Sequence, residues 1–167
     1  SDETLSTCQI FNAEVCYGSG LLYNTANCSN SVQDDIEDFF LDNNVASYFL
    51  GVCQDFKHFG FCVTVIILNT DGSKIVRIVR KEACYCRFTP ANKEGKIEKV
   101  LYANWRKNIA SRNDIEEIAL LDTASPWSDL KERINSKSKT RKFAIVTRVP
   151  TPDSTYYPIP YYAALFK

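Results

Sequence analysis

The side chains best suited to catalysis, metal binding or cross-linking are those of seven cysteines and a single histidine, His58. The cysteines all lie in the first half of the chain, at Cys8, Cys16, Cys28, Cys53, Cys62, Cys84 and Cys86. They form no CxxC pair, and one histidine adds too little for a zinc site, so no metal site is expected. A spread of this kind is typical of disulfides in an oxidising compartment. The pattern predicts a secreted protein with three disulfides and one unpaired cysteine. At least one bridge should join an N-terminal cysteine (Cys8, Cys16 or Cys28) to Cys62, Cys84 or Cys86.

Two arrangements could support catalysis. His58 lies between Cys53 and Cys62, and a thiolate beside an imidazole is a common nucleophile arrangement. A disulfide at either cysteine would abolish that chemistry. The second arrangement is the acidic stretch 34–42, whose carboxylates could form an acid/base pair or a calcium site. It lacks the alternating ligands and central glycine of a calcium loop, and a solvated acidic face is favoured. We therefore expect neither a catalytic residue nor a cofactor. A small extracellular hydrolase or transferase that uses carboxylates remains the alternative, and two carboxylates in one crevice would favour it.

Two segments are candidates for binding. The first is a dense basic run, predicted to be an exposed loop that binds anionic partners, with cations at Lys137, Lys139, Arg141 and Lys142. The second is a C-terminal tail in which prolines interleave with Tyr156, Tyr157, Tyr161 and Tyr162. Exposed tyrosines are typical of recognition surfaces, because they are large and stiff with a polar tip. The same rings could instead pack as the lid of a small core.

The charge is divided along the chain. Residues 1–56 contain nine Asp or Glu and no Lys or Arg, whereas residues 57–167 contain 20 basic and 11 acidic residues. The two parts could neutralise each other by packing together. Alternatively, the basic loop, with Lys96, Lys99 and Arg106, forms a basic pole opposite an acidic helix at 32–42, and we favour this arrangement. The zero net charge disfavours nucleic acid as a partner.

These candidate residues must be positioned by a central β-hairpin in the stretch 59–88. Its β-branched strands meet at Asp71-Gly72, a dipeptide that suits a tight turn. Apolar residues occur on both faces of each strand, which predicts a sheet covered on both sides. The predicted core contains Val63, Val65, Ile67, Ile75, Val79, Phe143 and Ile145. In this scheme Cys84 and Cys86 lie on one face of a strand.

The remaining elements follow from periodicity and capping residues. Residues 1–30 predict a cysteine-rich arm, either irregular or made of short strands, that disulfides tie to the body. Helices are predicted at 31–42, 97–111, 113–121 and from Pro126, and strands at 143–149 and 163–166. Residues 45–53 fit either a helix or a strand, and we favour a helix. Trp105 and Trp127 fall in apolar helical stripes, which favours core positions over a carbohydrate platform.

The sequence thus predicts one domain of the α+β class. It comprises the Cys-rich arm 1–30 and a body 31–167, in which a disulfide-stabilised antiparallel sheet follows a short N-terminal helix and a helix cluster precedes the last strands. The leading hypothesis is a secreted binding protein without catalysis, whose partner is an extracellular protein or an anionic glycan. An excised receptor or sensor ectodomain is a further alternative.

Three further observations bear on location. A glycosylation sequon begins at Asn27, and the first residue is not Met, which suggests a cleaved signal peptide or an excised segment. No apolar run reaches about 18 residues, so no membrane span is expected.

Overall fold

A computed structural model describes residues 3–106, 112–136, 139–152, 154–160 and 162–163. The described residues form four α-helices and a curled six-stranded sheet, which confirms the predicted α+β class. The helices are α1 (Glu3–Tyr17), α2 (Asn30–Asp42), α3 (Val45–Phe59) and α4 (Pro126–Asn135). The strands are β1 (Phe61–Leu68), β2 (Ile75–Lys81), β3 (Cys86–Phe88), β4 (Lys99–Tyr102), β5 (Glu116–Leu120) and β6 (Lys142–Arg148). Short 3-10 turns occupy Ala83–Tyr85 and Arg112–Asp114.

The sheet is mixed rather than purely antiparallel as predicted. Its strand order is β2-β1-β6-β5-β4-β3, and only the β5–β6 pair in that order is parallel. Helix α4 connects these two strands, and a crossover of this kind is what parallel neighbours require. The chain therefore contains one β-α-β unit within an otherwise antiparallel sheet.

The predicted central hairpin is present as β1 and β2. In its register Val65 lies opposite Val79, and Gly72 in the turn adopts a positive φ of 83°. Both faces of β1 are covered, as predicted: Val63 and Val65 are buried on one face, and Ile66 and Leu68 on the other. Of the other predicted core residues, Phe143 is buried, whereas Ile67, Ile75, Val79 and Ile145 are half-buried.

Contacts across one face show how strongly the sheet curls. The Nζ atom of Lys81 on β2 lies 2.7 Å from Oε2 of Glu116 on β5, although β1 and β6 separate the two strands. In a flat sheet, three strand spacings would separate the backbones by roughly 14 Å. The same Nζ lies 4.3 Å from the ring centroid of Tyr102 on β4. The sheet therefore bends around its concave face, and the turn Ala83–Tyr85 joins its two edge strands.

Each face of the sheet carries its own hydrophobic core. The inner core fills the concave face and includes Phe61, Val63, Val65, Cys86, Val100, Ile118, Leu120, Ala144 and Val146. The outer core joins the opposite face to α4 through Ile66, Leu68, Leu121, Leu130 and Phe143. Helix α3 contacts β1 and β2 beside this outer core.

Three predicted elements are wrong. Residues 1–30 are not an irregular arm, because 3–17 form α1, which packs on α3 through buried Ala13 and through the rings of Tyr17 and Phe49. The predicted helix 97–111 contains strand β4, and the predicted helix 113–121 contains strand β5. The helices at 31–42, 45–53 and Pro126 and the strand at 143–149 are present with shifted ends. The predicted edge strand 163–166 lies, apart from Ala163, outside the described residues.

The predicted disulfide framework is not supported. All seven cysteines lie in the described part of the chain, and none is paired with another. Cys53, Cys62 and Cys86 are buried as apolar side chains, and the other four are exposed. Cys84 and Cys86 do not share a strand face, because Cys84 lies in the exposed 3-10 turn and Cys86 begins β3.

Within the described residues, no helix combines the length and apolar character needed to cross a membrane.

Candidate functional site

The Tyr/Pro tail runs along the end of the inner core, and its described tyrosines are anchored by hydrogen bonds. The hydroxyl of Tyr156 accepts a hydrogen bond from the backbone N–H of Ala91 at 3.0 Å, and that of Tyr157 accepts one from Phe88 at 3.2 Å. The hydroxyl of Tyr162 donates to the carbonyl of His58 at 2.8 Å. Tyr161 lies outside the described residues. These contacts match the alternative in which the tyrosines form a lid, while Tyr157 and Tyr162 also line an open crevice.

Aromatic packing fixes the position of the tail. The rings of Phe61, Phe88 and Tyr157 form a triangle with centroid distances of 5.2 to 5.8 Å. Gly60 has a φ of 74°, and a Cβ added there would lie 3.0 Å from the Cγ atom of Pro158. A side chain at position 60 would therefore be strained and would press against the tail.

The tail forms one wall of an open crevice of about 590 Å³. The other walls come from the end of α3, the start of β1, the turn Ala83–Tyr85 and the segment after β4. Seven rings line it: His58, Phe59, Phe61, Tyr85, Trp105, Tyr157 and Tyr162. We call this site the aromatic crevice. A concave site with mainly aromatic walls and few polar groups is typical of ligand pockets.

Trp105 and Arg87 are held in place within the aromatic crevice. The indole N–H of Trp105 donates to the carbonyl of Tyr85 at 2.7 Å. The Cζ atom of Arg87 lies 5.6 Å from the ring centroid of Trp105, and its Nη1 donates to the carbonyls of Cys84 and Cys86 at 3.1 and 2.7 Å. The predicted core position of Trp105 in a helical stripe is therefore wrong, because it follows strand β4 and lines the crevice.

The charge of the aromatic crevice is one-sided. Arg87 and Arg106 are both exposed and line it, and none of its described lining residues is Asp or Glu. Guanidinium groups at the border of an apolar cavity favour ligands with a carboxylate, sulfate or phosphate. The arrangement suits a ligand that combines an apolar or aromatic body with a negative charge.

The thiols and the imidazole near this site are not arranged as a nucleophile pair. Cys53 and His58 are five residues apart on α3, and so point roughly 140° apart around the helix. Burial, followed by the nearby Cys16, raises the pKa of Cys53, which opposes thiolate formation. Burial and the neighbouring Glu82 likewise raise the pKa of the crevice residue Cys84. The Nδ1 atom of His58 is bound at 2.9 Å to the carbonyl of Gln54. The hypothesis of a Cys53–His58 nucleophile is therefore not supported.

Two carboxylates, Asp122 and Asp129, do come together elsewhere, before and within α4. The backbone N–H of Asp122 donates to Oδ2 of Asp129 at 2.8 Å. Hydrogen bonds from the backbone N–H groups of Ala124 and Ser125 lower the pKa of Asp122. Burial tends to raise the pKa of Asp129, but Arg133 at 2.7 and 2.9 Å outweighs burial and the pKa is lowered. Both groups are thus held ionised, and neither retains a proton to donate at neutral pH.

The described cations of the predicted basic loop do not line the aromatic crevice. Lys137 lies outside the described residues, and Lys139 is exposed. The Nε atom of Arg141 donates to the carbonyl of Thr70 at 3.0 Å, and Lys142 pairs with Glu116. Of the cations expected nearby, Lys96 pairs with Asp122 and Lys99 with Glu117, whereas Arg106 lines the aromatic crevice.

Six crevice residues with rings or charge were not predicted from the sequence as binding residues: His58, Phe59, Phe61, Tyr85, Arg87 and Trp105. Arg87 is the polar residue between Cys86 and Phe88, an alternation that places its side chain on the opposite face from theirs.

The described residues contain no group of three or more His, Cys, Asp or Glu side chains that could hold a metal ion. Neither a scan of protein-family models nor a search of curated proteins found a match to this chain.

Proposed function

We propose that this protein is a secreted, non-catalytic binding protein whose aromatic crevice receives a segment of an extracellular protein. The segment presents an apolar or aromatic side chain with an adjacent carboxylate. The supporting observation is that seven rings and two arginines line one open crevice without a described acidic residue. Aromatic residues and arginine are enriched where binding energy concentrates in interfaces.

The ligand class follows from two features. The apolar body would displace water from the rings of Phe59, Tyr85 and Trp105, which is the main source of favourable free energy. The carboxylate would meet Arg87 and Arg106 near the surface, where charges speed association and select the partner. An anionic glycan would satisfy the arginines, but its hydroxyl-rich surface would displace less water from the rings than an apolar or aromatic side chain would. We therefore favour a protein partner.

Secretion belongs to this proposal on the strength of the cysteine pattern and the sequon at Asn27, which lies in an exposed turn. Cys8, Cys16, Cys28 and Cys84 are exposed, so oxidants can reach them. We propose that some of them form disulfides in the mature protein. Mass spectrometry of the unreduced, secreted protein tests this, and six or more free thiols would contradict both disulfides and secretion.

The alternative of a hydrolase or transferase finds less support. Asp122 and Asp129 share a crevice, but both have lowered pKa values and are held by fixed donors. A receptor or sensor ectodomain would use the aromatic crevice in the same way, so it differs from the leading proposal in anchoring and not in recognition.

Affinity capture from extracellular fluid tests the function. The purified protein serves as bait beside two variants with the same change of charge, Arg106→Glu and Lys93→Glu. Arg106 lines the aromatic crevice, whereas Lys93 is an exposed loop residue outside it. A partner captured by the wild type and Lys93→Glu but lost with Arg106→Glu would support the proposal. Equal capture by all three proteins would contradict it.

A further inference from the structure

A second cavity lies at the carboxyl ends of the parallel central strands β5 and β6. It has a volume of about 480 Å³ and shares no lining residue with the aromatic crevice. Ligands of open sheets commonly bind outside the carboxyl ends of parallel strands. Here those ends are Leu120 and Arg148, and the loop 121–125 leads from β5 to the N-terminus of α4. We call this cavity the polar cleft.

The polar cleft contains charges of both signs in nearly equal number. Its cations are Lys96, Arg133 and Arg148, and its carboxylates are Glu98, Asp122, Asp129 and Glu132. Several are already paired: Lys96 lies 3.4 Å from Asp122, and Arg133 binds both oxygens of Asp129. An anionic ligand would be opposed by the carboxylates, and a cationic one by the arginines and the lysine. The balance therefore favours a neutral ligand.

The hydrogen-bonding groups of the polar cleft are fixed before any ligand arrives. Asp122 accepts from Ala124 N and Ser125 N at 2.8 and 3.2 Å, and Arg133 donates to the carbonyl of Leu120 at 3.0 Å. Carboxylates only accept hydrogen bonds and guanidinium groups only donate them. A hydroxyl group does both, so a ligand with many hydroxyls can use neighbouring donors and acceptors together. Pre-ordered groups also reduce the entropy lost on binding.

Apolar surfaces complete the site. The rings of Phe88 and Tyr156 both line the polar cleft, together with Ile97 and Val146. The position of Tyr156 is fixed because its hydroxyl accepts the N–H of Ala91 at 3.0 Å. A sugar ring presents an apolar C–H surface as well as hydroxyls, and so can contact both kinds of wall. From this combination we infer that the polar cleft is a binding site for a neutral saccharide.

The test uses a panel of neutral disaccharides: cellobiose, maltose, lactose and chitobiose. Saturation-transfer NMR detects binding at millimolar concentration, and calorimetry measures the affinity of any member that binds. We expect saturable binding of at least one member. Because the ligand is uncharged, its affinity should change by less than about twofold between low and high salt.

Two variants on α4 locate the binding. Ser128→Trp places a large ring in the polar cleft, since Ser128 is exposed and lines it, and should weaken binding by about tenfold or more. Lys131→Trp makes the same insertion at an exposed position of α4 outside the lining and should leave the affinity unchanged. Arg106→Glu in the aromatic crevice should also leave it unchanged, which separates the two sites.

Three results would overturn the inference. The first is the absence of saturable binding for every neutral disaccharide. The second is equal affinity of the wild type and Ser128→Trp. The third is tighter binding of a charged sugar than of the neutral sugars, with glucuronate as the anion and glucosamine as the cation.

Discussion

At the scale of single residues, Asp55 connects the helical layer to the sheet. This residue lies on α3 and is only 5% exposed. Oδ2 accepts the N–H of Ala83 at 3.4 Å and lies 3.6 Å from Nε of Arg80 on β2. Arg80 in turn donates to the carbonyl of Gly51 on α3 at 2.8 Å. Burial raises the pKa of Asp55 to about 6, although Arg80 opposes this shift.

The raised pKa of Asp55 predicts a pH-dependent stability. The unfolded pKa is near 3.8, so between that value and about 6 the folded protein holds a proton that the unfolded chain has released. The free energy of unfolding from this group should therefore fall as the pH rises through that window, by at most about 3 kcal/mol.

Urea denaturation across the same window measures this effect in the wild type and in Asp55→Asn, which cannot titrate. The unfolding free energy of the wild type, relative to that of Asp55→Asn, should fall as the pH rises through this window and level off above the folded pKa of Asp55. A constant difference would show that Asp55 titrates normally.

Other residues show why single side chains were hard to place from sequence. Glu116 faces the concave side of the sheet, where Lys81 and Lys142 pair with it. An acidic residue at an inward position disguises the alternation of Glu116, Ile118 and Leu120 that marks strand β5. The partners of Glu116 lie 35 and 26 residues away, so local sequence carries no signal for them.

At the scale of elements, Asn43 satisfies part of an exposed sheet edge. It follows α2, and its side chain accepts the N–H of Ile78 at 2.9 Å and donates to the carbonyl of Val76 at 3.5 Å. Both groups belong to β2, which forms one edge of the sheet. The amide thus imitates a neighbouring strand at one position, and such protection limits edge-to-edge association.

Replacing Asn43 with Ala should remove both hydrogen bonds to β2. We expect a loss of about 1–2 kcal/mol in unfolding free energy and faster aggregation of the variant. Asn135→Ala, at an exposed position of α4, is the control for a change from Asn to Ala that touches no sheet edge. Equal stability of the two variants would argue against this role of Asn43.

The buried hairpin is tested by a matched pair of valines. Val65 on β1 is fully buried, whereas Val76 on β2 is 45% exposed. Val65→Ala should cost about 1–3 kcal/mol because it leaves a cavity in the inner core, and Val76→Ala should cost much less. Denaturant midpoints measure both. A smaller loss of stability for Val65→Ala than for Val76→Ala would contradict the assignment of Val65 to the buried face of the hairpin.

Elements with a strong local pattern were predictable. The β-branched hairpin, helices α2, α3 and α4, and strand β6 follow their periodicity and capping signals. Strand β4 was not predictable, because Val100 and Leu101 fit a helical stripe as well as a four-residue strand. Its neighbours β3 and β5 decide the outcome through pairing that is distant in sequence. Helix α1 had an overlooked signal: residues 3–17 contain no Gly or Pro, and Gly18 with a φ of 52° follows its end.

At the scale of the whole molecule, the charge division of the sequence largely persists. Two ion pairs in the described residues cross it: Lys74 with Asp35 at the surface and Arg80 with Asp55 in the interior. The other ion pairs lie within residues 57–167. Of the basic residues outside these ion pairs, Arg87 and Arg106 line the aromatic crevice beside rings, and no Asp or Glu is among its described lining residues.

The curled sheet explains why the sites could not be predicted as sites. The aromatic crevice combines the end of α3, the turn Ala83–Tyr85, the segment after β4 and the tail, which meet only after the sheet has curled. The sequence identified Tyr157 and Tyr162 as binding candidates from composition. It gave no indication that they would lie with Trp105 and Arg87.

The proposed binding of an apolar group with a negative charge in the aromatic crevice can be measured directly. Anilinonaphthalene sulfonate, which has an aromatic body and one sulfonate, is a direct probe. Trp105 lines the aromatic crevice, and Trp127 is exposed on α4 outside it, so Trp127→Phe leaves Trp105 as the only tryptophan. Titration of this variant reports ligand in the crevice through quenching of Trp105 fluorescence.

We expect saturable quenching of Trp105 at a single site. The affinity should fall by about tenfold when Arg106→Glu is added and should be unchanged when Lys93→Glu is added, because only Arg106 lines the aromatic crevice. No saturable quenching, or equal affinity in all three backgrounds, would contradict the claim.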